Sequence, residues 1–298
     1  MAVQSGILVM NKPQGFTSFD VIGKLRGILK MKRLGHTGTL DPMATGVLPV
    51  LVGTAARACD ILPDETKAYR ADFQLGTVTD TQDSTGTVLE THAAAVSEAD
   101  ILQAIPQFLG DIMQIPPMYS AVQIGGKRLY ELARAGKEIA RPARAVHVEI
   151  FRLLCYDAVS GSGTVEIVCG KGTYVRTLLH DLGQTLGCGA CMTALVRTAA
   201  CGFSLADAHT FEEVQQAAEN STAETLIVPT DRLFSVLPEI RLGDAQTRLY
   251  RNGVRLELSR VAGITDADTY RIYAADRTFL GLAAADRAAG CLRVYKNL

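Results

Sequence analysis

The stretch that decides the fold reads Gly35-His36-Thr37-Gly38-Thr39-Leu40-Asp41-Pro42-Met43-Ala44-Thr45-Gly46. Three glycines and one proline in twelve residues specify a bent backbone path, so this segment is predicted to be a loop. The apolar run Val47–Val52 that follows is predicted to be a buried strand. Asp41 is the only carboxylate between Val21 and Ala58, and Pro42 biases it away from helical geometry.

Two side chains of this loop are capable of chemistry, Asp41 and His36. A carboxylate with an ordinary pKa of about 3.9 is ionised at neutral pH and can attack carbon directly. A lone aspartate in a glycine-rich loop is more commonly a turn former, and a lone histidine is commonly structural. A Walker-type phosphate loop is excluded because no Gly-Lys-Ser/Thr follows the glycines. A glycosidase pairing Asp41 with Asp80 or Asp83 is conceivable, but Asp80–Gly86 is predicted more simply to be a hairpin turn.

Outside the loop, the pattern mixes helices and strands without a regular βαβ alternation. The spacing of Val21, Ile22 and Leu25 predicts a helix capped at Thr17 or Ser18. Further strands are predicted at Tyr69–Leu75, Val146–Leu154 and Thr164–Gly170, and further helices after the caps Ser97 and Thr210 and over Tyr174–Leu186. We therefore expect an α+β fold with a mixed, largely antiparallel sheet. After Pro229 short alternating segments predict a small, separate β-rich domain.

Charge and composition narrow the function classes. The net charge of the 298 residues is −1, but Val21–Leu40 and Gln123–Arg144 are basic whereas Ser204–Asp231 is acidic, so a basic face for phosphates is predicted. No apolar run approaches the ~20 residues of a membrane span. Seven cysteines without a secretion signal predict reduced thiols in a cytoplasm. The lone Cys188-x-x-Cys191 pair lacks further ligands for zinc, and we expect free thiols.

Gly35–Gly46 resembles the G-H-T-G-x-L-D-P-x-A-T-G signature of the TruB-type tRNA pseudouridine synthases. Other motifs similar to those of the family follow in the family's order along nearly the whole chain. They are Asn11–Gly15, Lys67–Arg70, Leu75–Gly86, Gln114–Ala121, Gly126–Glu131, Gly170–Leu178 and Leu195.

The resemblance implies an isomerase that converts uridine 55 in the T loop of tRNA to pseudouridine, using neither metal nor organic cofactor. It implies a pseudouridine synthase catalytic domain over residues 1–235, with an RNA-gripping insertion at about 120–145. The tail, residues 236–298, resembles a PUA-like RNA-binding domain. We expect a cytoplasmic monomer, with tRNA and no protein as its partner.

The resemblance also assigns roles to residues. Asp41 would be the nucleophile, Tyr69 would stack on the target base and help remove a proton, and Arg176 would pair with Asp41. Whether Asp41 attacks ribose C1′, attacks uracil C6 or abstracts a sugar proton stays open. The residues implied in substrate binding are Lys12, Pro13, His36, Thr39, Lys127, Arg128, Tyr130, Tyr174 and Leu195.

The pairing of Asp41 with Arg176 also has a physical rationale, because burial raises the pKa of an aspartate and an adjacent arginine lowers it by ~1–3 units. On that ground we expect Arg176 to keep Asp41 ionised.

A different class of function fits the basic segments and the tail equally well: an RNA-binding protein that refolds tRNA without chemistry. The set of Asp41, Tyr69 and Arg176 discriminates the two, because binding alone does not require it.

Overall fold

The computed structural model describes residues 5–298. The strands are β1 Gly6–Lys12, β2 Leu34–His36, β3 Thr45–Val52, β4 Lys67–Leu75, β5 Thr77–Thr79, β6 Val88–Thr91, β7 Gly110–Gln114, β8 Gln123–Ile124, β9 Lys127–Arg128, β10 Arg144–Asp157, β11 Ser162–Cys169, β12 Ala190–Ala200, β13 Phe203–Ser204, β14 Glu239–Arg241, β15 Leu256–Glu257, β16 Thr269–Tyr273, β17 Phe279–Asp286 and β18 Cys291–Asn297. The α-helices are α1 Ser18–Leu29, α2 Glu98–Ala104, α3 Leu129–Arg134, α4 Val175–Thr185, α5 Phe211–Glu219 and α6 Asp244–Arg251. None of these helices is long and apolar enough to cross a membrane.

A nine-stranded mixed sheet is the frame of the larger part of the chain. Its main path runs β1-β3-β12-β4-β11-β10-β7, with β2 paired to β3 and β13 paired to β12. Only the β3–β12 pairing is parallel. The centre of the sheet, β3-β12-β4, is therefore where the loop before β3 meets the side chains of β12 and β4.

Alternation decides which side chains of β4 enter the core. Tyr69, Ala71, Phe73 and Leu75 are buried, as the period-two pattern predicted. They pack with Leu178, Leu179 and Leu182 of α4 in one apolar cluster. The helix α4 thus covers the face of the sheet that carries Tyr69.

Local capping signals place the helices where the sequence predicted them. The Thr17 hydroxyl accepts from the Asp20 N–H, and the Asp20 carboxylate accepts from the Thr17 N–H, so α1 begins with a capping box. Similar boxes begin α2 at Ser97 and α5 at Thr210. The helix predicted over Tyr174–Leu186 is confirmed, with those two residues as its caps.

The tail forms a second, five-stranded sheet in the order β14-β16-β17-β18-β15. The predicted β-rich character is confirmed, with the single helix α6 added to it. The tail is not packed only on itself, because Leu282 shares a core cluster with Ile7, Val9 and Phe234 of the larger part. In addition, the Tyr273 hydroxyl donates to Asp231 over 2.6 Å.

Candidate active site

The loop predicted over Gly35–Gly46 leaves β2 at His36 and enters β3 at Thr45, so its two ends belong to strands and its middle is free of regular structure. Asp41 lies in that middle. The loop is held against α1, because the buried Ser18 hydroxyl donates to the Leu40 carbonyl and accepts from the Leu40 N–H. The residue before Asp41 is thereby fixed to the helix that the sequence places upstream of it.

Gly46 is required by a close approach of two chain segments. Its φ is +102°, and a Cβ placed there would lie 2.2 Å from the carbonyl oxygen of Arg197. No other residue fits that space or that conformation without strain. The loop therefore re-enters the sheet directly against β12, at the parallel pairing of Arg197 with Gly46.

Arg197 supports the loop from inside the protein. Its side chain is fully buried and donates to backbone carbonyls: Nε donates to Val47 over 2.7 Å, and Nη2 donates to Gly38 over 3.2 Å. Nη1 lies 3.5 Å from the carbonyl of Thr39. A buried guanidinium that donates to carbonyls of the loop and of β3 fixes the path of the chain from one to the other.

Asp41 and Arg176, which are far apart in sequence, meet at the start of α4. Arg176 Nε lies 3.0 Å from Asp41 Oδ2, and Arg176 Nη2 lies 3.3 Å from Asp41 Oδ1. The guanidinium thus faces both carboxylate oxygens: Nη2 donates a hydrogen bond to Oδ1, whereas Nε and Oδ2 form an ion pair without hydrogen-bond geometry. This two-point contact fixes the direction of the carboxylate as well as its distance. The Arg176 side chain is 5% exposed, whereas that of Asp41 is 35% exposed. The buried Arg176 thus contacts the Asp41 carboxylate on one side, and the other side of the carboxylate faces the cavity.

The Nη1 and Nη2 groups of Arg176 also bond the neighbouring backbone. Nη2 donates to the Tyr119 carbonyl over 2.8 Å and Nη1 to the Thr81 carbonyl over 2.9 Å. Nη1 also lies 3.5 Å from Oδ2 of the buried carboxylate of Asp83. The turn Asp80–Gly86 therefore supports Arg176, and the simple hairpin-turn interpretation of it is incomplete.

The electrostatics of Asp41 differ in one respect from the expectation. Burial raises the pKa of Asp41 above its ordinary value, the charge of Arg176 lowers it, and the charge of Asp83 raises it further. The net direction is upward. Arg176 therefore offsets the effect of burial on Asp41 only in part.

A cavity of about 270 Å³ opens in front of Asp41. Tyr69 and Leu195 line it from the central strands β4 and β12, whose register places Leu195 opposite Ala71. Burial raises the pKa of the Tyr69 hydroxyl to about 12, so it is a neutral phenol at physiological pH. A phenol in that state suits stacking on a base, and its part in proton removal stays a prediction.

Tyr174 and Thr39 also line the cavity. The backbone of Tyr174 is held at both polar groups by one side chain, because Gln114 Nε2 donates to its carbonyl over 3.0 Å and Gln114 Oε1 accepts from its N–H over 2.7 Å. This clamp fixes the residue that caps α4, two positions before Arg176.

The structure places Lys12 and Pro13 behind the loop. The Lys12 side chain is fully buried, and its Nζ donates to the carbonyls of Phe16 and Pro13 over 2.6 and 3.0 Å and lies 3.4 Å from that of Pro42. Burial lowers the pKa of Lys12 to about 8. The Lys12 ammonium is already hydrogen-bonded to backbone carbonyls. The geometry therefore does not favour the predicted direct contact between Lys12 and RNA.

Lys127, Arg128 and Tyr130 lie together on a small hairpin and helix, β8, β9 and α3, in the predicted insertion. Arg128 Nη1 donates to the Tyr130 hydroxyl over 3.1 Å, and the guanidinium carbons of Arg128 and Arg134 lie 5.9 and 5.4 Å from the centre of its ring. Lys127 and Arg134 are exposed. The segment therefore presents cations around an aromatic ring, which suits nucleic acid.

Sequence reasoning missed the roles of Gln114 and Arg197, and it set Asp83 aside as part of a hairpin turn. Each lay inside or beside a quoted motif, but its role depends on partners far away in the sequence. For Arg197 one signal was available, since an arginine in the largely apolar stretch Ala194–Ala200 requires buried acceptors if that stretch enters the core.

Two family models match the chain in succession. The model of the TruB family pseudouridylate synthase N-terminal domain matches residues 26–175, and that of the tRNA pseudouridylate synthase B C-terminal domain matches residues 176–235. The chain belongs to the TruB family of tRNA pseudouridylate synthases. Members of this family are isomerases. The match to the N-terminal domain contains the loop with Asp41, and the match to the C-terminal domain begins at Arg176.

Relatives of similar length support the family assignment. The chain is 43% identical to tRNA pseudouridine synthase B of Thiobacillus denitrificans, over 94% of this chain and 92% of the relative. It is 40% identical to the protein of that name from Clostridium acetobutylicum, over 93% of this chain and 94% of the relative.

Solved structures confirm the pseudouridine synthase fold. A chain of a Cbf5-Nop10-Gar1 complex superimposes with a TM-score of 0.73 and 27% identity, over 96% of this chain and 79% of that one. A chain of an H/ACA ribonucleoprotein bound to a substrate RNA shares the fold with a TM-score of 0.75 and 24% identity, over 100% of this chain and 86% of that one.

Proposed function

We propose that this TruB family enzyme isomerises uridine 55 in the T loop of tRNA to pseudouridine. The observation that carries the proposal is the two-point contact of Arg176 with Asp41 at the floor of the cavity. A protein that only binds or refolds RNA has no need of a carboxylate aimed in this way.

The reaction needs the target base outside the stack. A uridine inside the T loop cannot reach Asp41, so it must flip into the cavity, at a cost of a few kcal/mol. Tyr69 and Leu195 provide a neutral, apolar wall on which the base can stack. The cations of the insertion and of α1 provide contacts to phosphates that offset the cost of flipping.

The isomerisation itself balances without a co-reactant. The N1–C1′ bond breaks and its electron pair stays on uracil, the base turns, and C5 forms a new bond to C1′. C5 loses its proton and N1 gains one. Asp41 assists as an anion, by attack on C1′, by attack on C6 or by taking a sugar proton, and Arg176 keeps the carboxylate aimed in each case.

Several finer points belong to the same proposal. The tail, residues 236–298, is a PUA-like domain that adds to tRNA binding, and the protein acts as a monomer. The seven free cysteines support a cytoplasmic location, because the cytoplasm keeps thiols reduced.

The direct test is incubation of the purified protein with an unmodified tRNA transcript, followed by mapping of pseudouridine. We expect a single new pseudouridine at position 55, and none in a transcript with cytidine at that position. Binding of both transcripts without formation of pseudouridine in either would contradict the proposal and favour the RNA-refolding class.

A further inference from the structure

Phe19 is an exposed aromatic side chain beside the catalytic loop. It is 66% exposed, although it lies in the first turn of α1, whose other apolar side chains are mostly buried. Its ring stands edge to face against His36, with 5.4 Å between the ring centres and 81° between the planes. An uncovered aromatic surface that is braced in this way is a natural contact for another ring.

The position of Phe19 is fixed relative to the reacting carboxylate. The preceding residue, Ser18, is bonded in both directions to the backbone of Leu40, the neighbour of Asp41. His36 is part-buried beneath Phe19, and among residues 5–298 its Nδ1 has no hydrogen-bond partner. Burial lowers the pKa of His36, so the ring that backs Phe19 is neutral at physiological pH.

The exposed face of α1 continues from Phe19 to a row of open and cationic positions. At helical spacing it carries Gly23 and Arg26, and Lys30 caps the end of the helix; all three are exposed. A Cβ built on Gly23 would meet nothing within 4 Å, so a backbone of another molecule can approach closely. Arg26 lies about 10 Å along the axis from Phe19. The neighbouring carboxylate, Asp20, is turned back to cap Thr17.

We propose that Phe19 is a stacking platform for an unpaired base of the RNA substrate that flanks the flipped uridine. The phosphates of the same strand lie along α1 at Arg26 and Lys30. The partner chemistry is that of single-stranded nucleic acid: a base on an aromatic ring, followed by phosphates on cations. This inference rests on the proposed function, because it takes the partner of the site to be an RNA.

The absence of tryptophan from the chain makes the test specific. Phe19→Trp introduces a single indole, and its fluorescence is expected to be quenched when tRNA transcript is added. Val159→Trp is the matched control. Val159 is 97% exposed in the turn that joins β10 to β11, at the end of β11 that is remote from the cavity. The fluorescence of Val159→Trp is expected to stay unchanged when tRNA is added. Equal quenching of the Phe19→Trp and Val159→Trp variants would overturn the proposal.

A second measurement addresses the energy of the contact. Phe19→Ala should weaken tRNA binding about tenfold, which is within the range for one base stacked on an aromatic ring. Phe19→Tyr retains the stacking surface and should bind like the wild type. Affinity of Phe19→Ala equal to that of the wild type would also overturn the proposal.

The two proposals fail in different ways. Suppose that wild-type protein forms pseudouridine in tRNA, but the fluorescence of Phe19→Trp is not quenched and Phe19→Ala binds like the wild type. Then only the proposed stacking platform is wrong. If the wild type forms none, the proposed function is wrong.

Discussion

Arg176 contacts Asp41, Asp83 and two backbone carbonyls at once. Arg176→Lys keeps a positive charge but loses the planar fork that makes the two-point contact. A misaimed catalytic group can cost about 10²-fold in rate, so we expect the single-turnover rate to fall by at least that order. The affinity for tRNA should change little, because Arg176 is buried. Kinetics with enzyme in excess separates the two quantities, and a near-normal rate would show that another cation aligns Asp41.

The raised pKa of Asp41 predicts a pH dependence with a defined sign. The protonated acid cannot act as an anion, so the single-turnover rate should fall as the pH drops through that pKa. The charge of Asp83 is one cause of the elevation. Asp83→Asn should therefore move the acid limb of the pH–rate profile to lower pH.

The control for this prediction lies on the same turn. Asp80 is exposed, and its carboxylate accepts from the Thr87 N–H. Asp80→Asn should leave the acid limb in place. A shift of the acid limb to higher pH in Asp83→Asn would contradict this prediction. It would mean that the substitution disorders Arg176, and that this raises the pKa of Asp41 by more than the loss of the Asp83 charge lowers it.

Among the residues of the site, the sequence predicted those that lie in recognisable motifs. It did not predict contacts between segments that come together only in the folded chain. Asp41, Tyr69 and Arg176 were named from their motifs, and the structure brings them to one cavity. The partnership of Asp83 with Arg176 was not predictable, because Asp80–Gly86 has the composition of an ordinary turn. Its burial arises only when the turn packs against α4 and β12.

The insertion is the element with the strongest electrostatic signature. Lys127 and Arg134 are exposed, and Arg128 packs on Tyr130. Replacing the three cations with alanine should weaken tRNA binding and lower the slope of log affinity against log salt, by up to about 0.9 per lost phosphate contact. Titrations at several salt concentrations measure that slope.

A control cation lies on β4. Arg70 follows Tyr69, but strand alternation turns it to the other face of the sheet, where it is exposed. Arg70→Ala should leave the salt slope unchanged. An unchanged slope in the triple variant would place the RNA away from the insertion.

The sequence predicted those helices and strands whose signals, such as caps and alternation, lie within the element itself. The capping box at Thr17 and the alternation over Tyr69–Leu75 each specified an element that the structure confirms. The order of the sheet was not predictable, because the parallel pairing of β3 with β12 joins segments about 150 residues apart. That pairing depends on the close approach at Gly46, which no local pattern encodes.

For the whole molecule, the contact of the tail with the larger part bears on stability. The sequence predicts a separable domain after residue 235, but Leu282, Phe279 and Leu298 of the tail pack into a cluster with Phe234. Burial of each such side chain contributes about 1.5–3 kcal/mol. Removal of residues 236–298 should therefore lower the unfolding temperature by roughly 10 °C or more, as well as weaken tRNA binding. Calorimetry of the truncated protein measures the first effect, and an unchanged unfolding temperature would show that the tail is an independent module.

We propose that Asp41, aimed by Arg176, performs the isomerisation. The most direct measurement is single-turnover mapping of pseudouridine 55 with wild type and with Asp41→Asn, at enzyme concentrations that saturate tRNA binding in both. Asparagine keeps the size of the side chain and removes its charge. We expect that Asp41→Asn binds tRNA with near-normal affinity and forms no measurable pseudouridine. A rate within about tenfold of the wild type would contradict it, because a catalytic anion contributes far more than that.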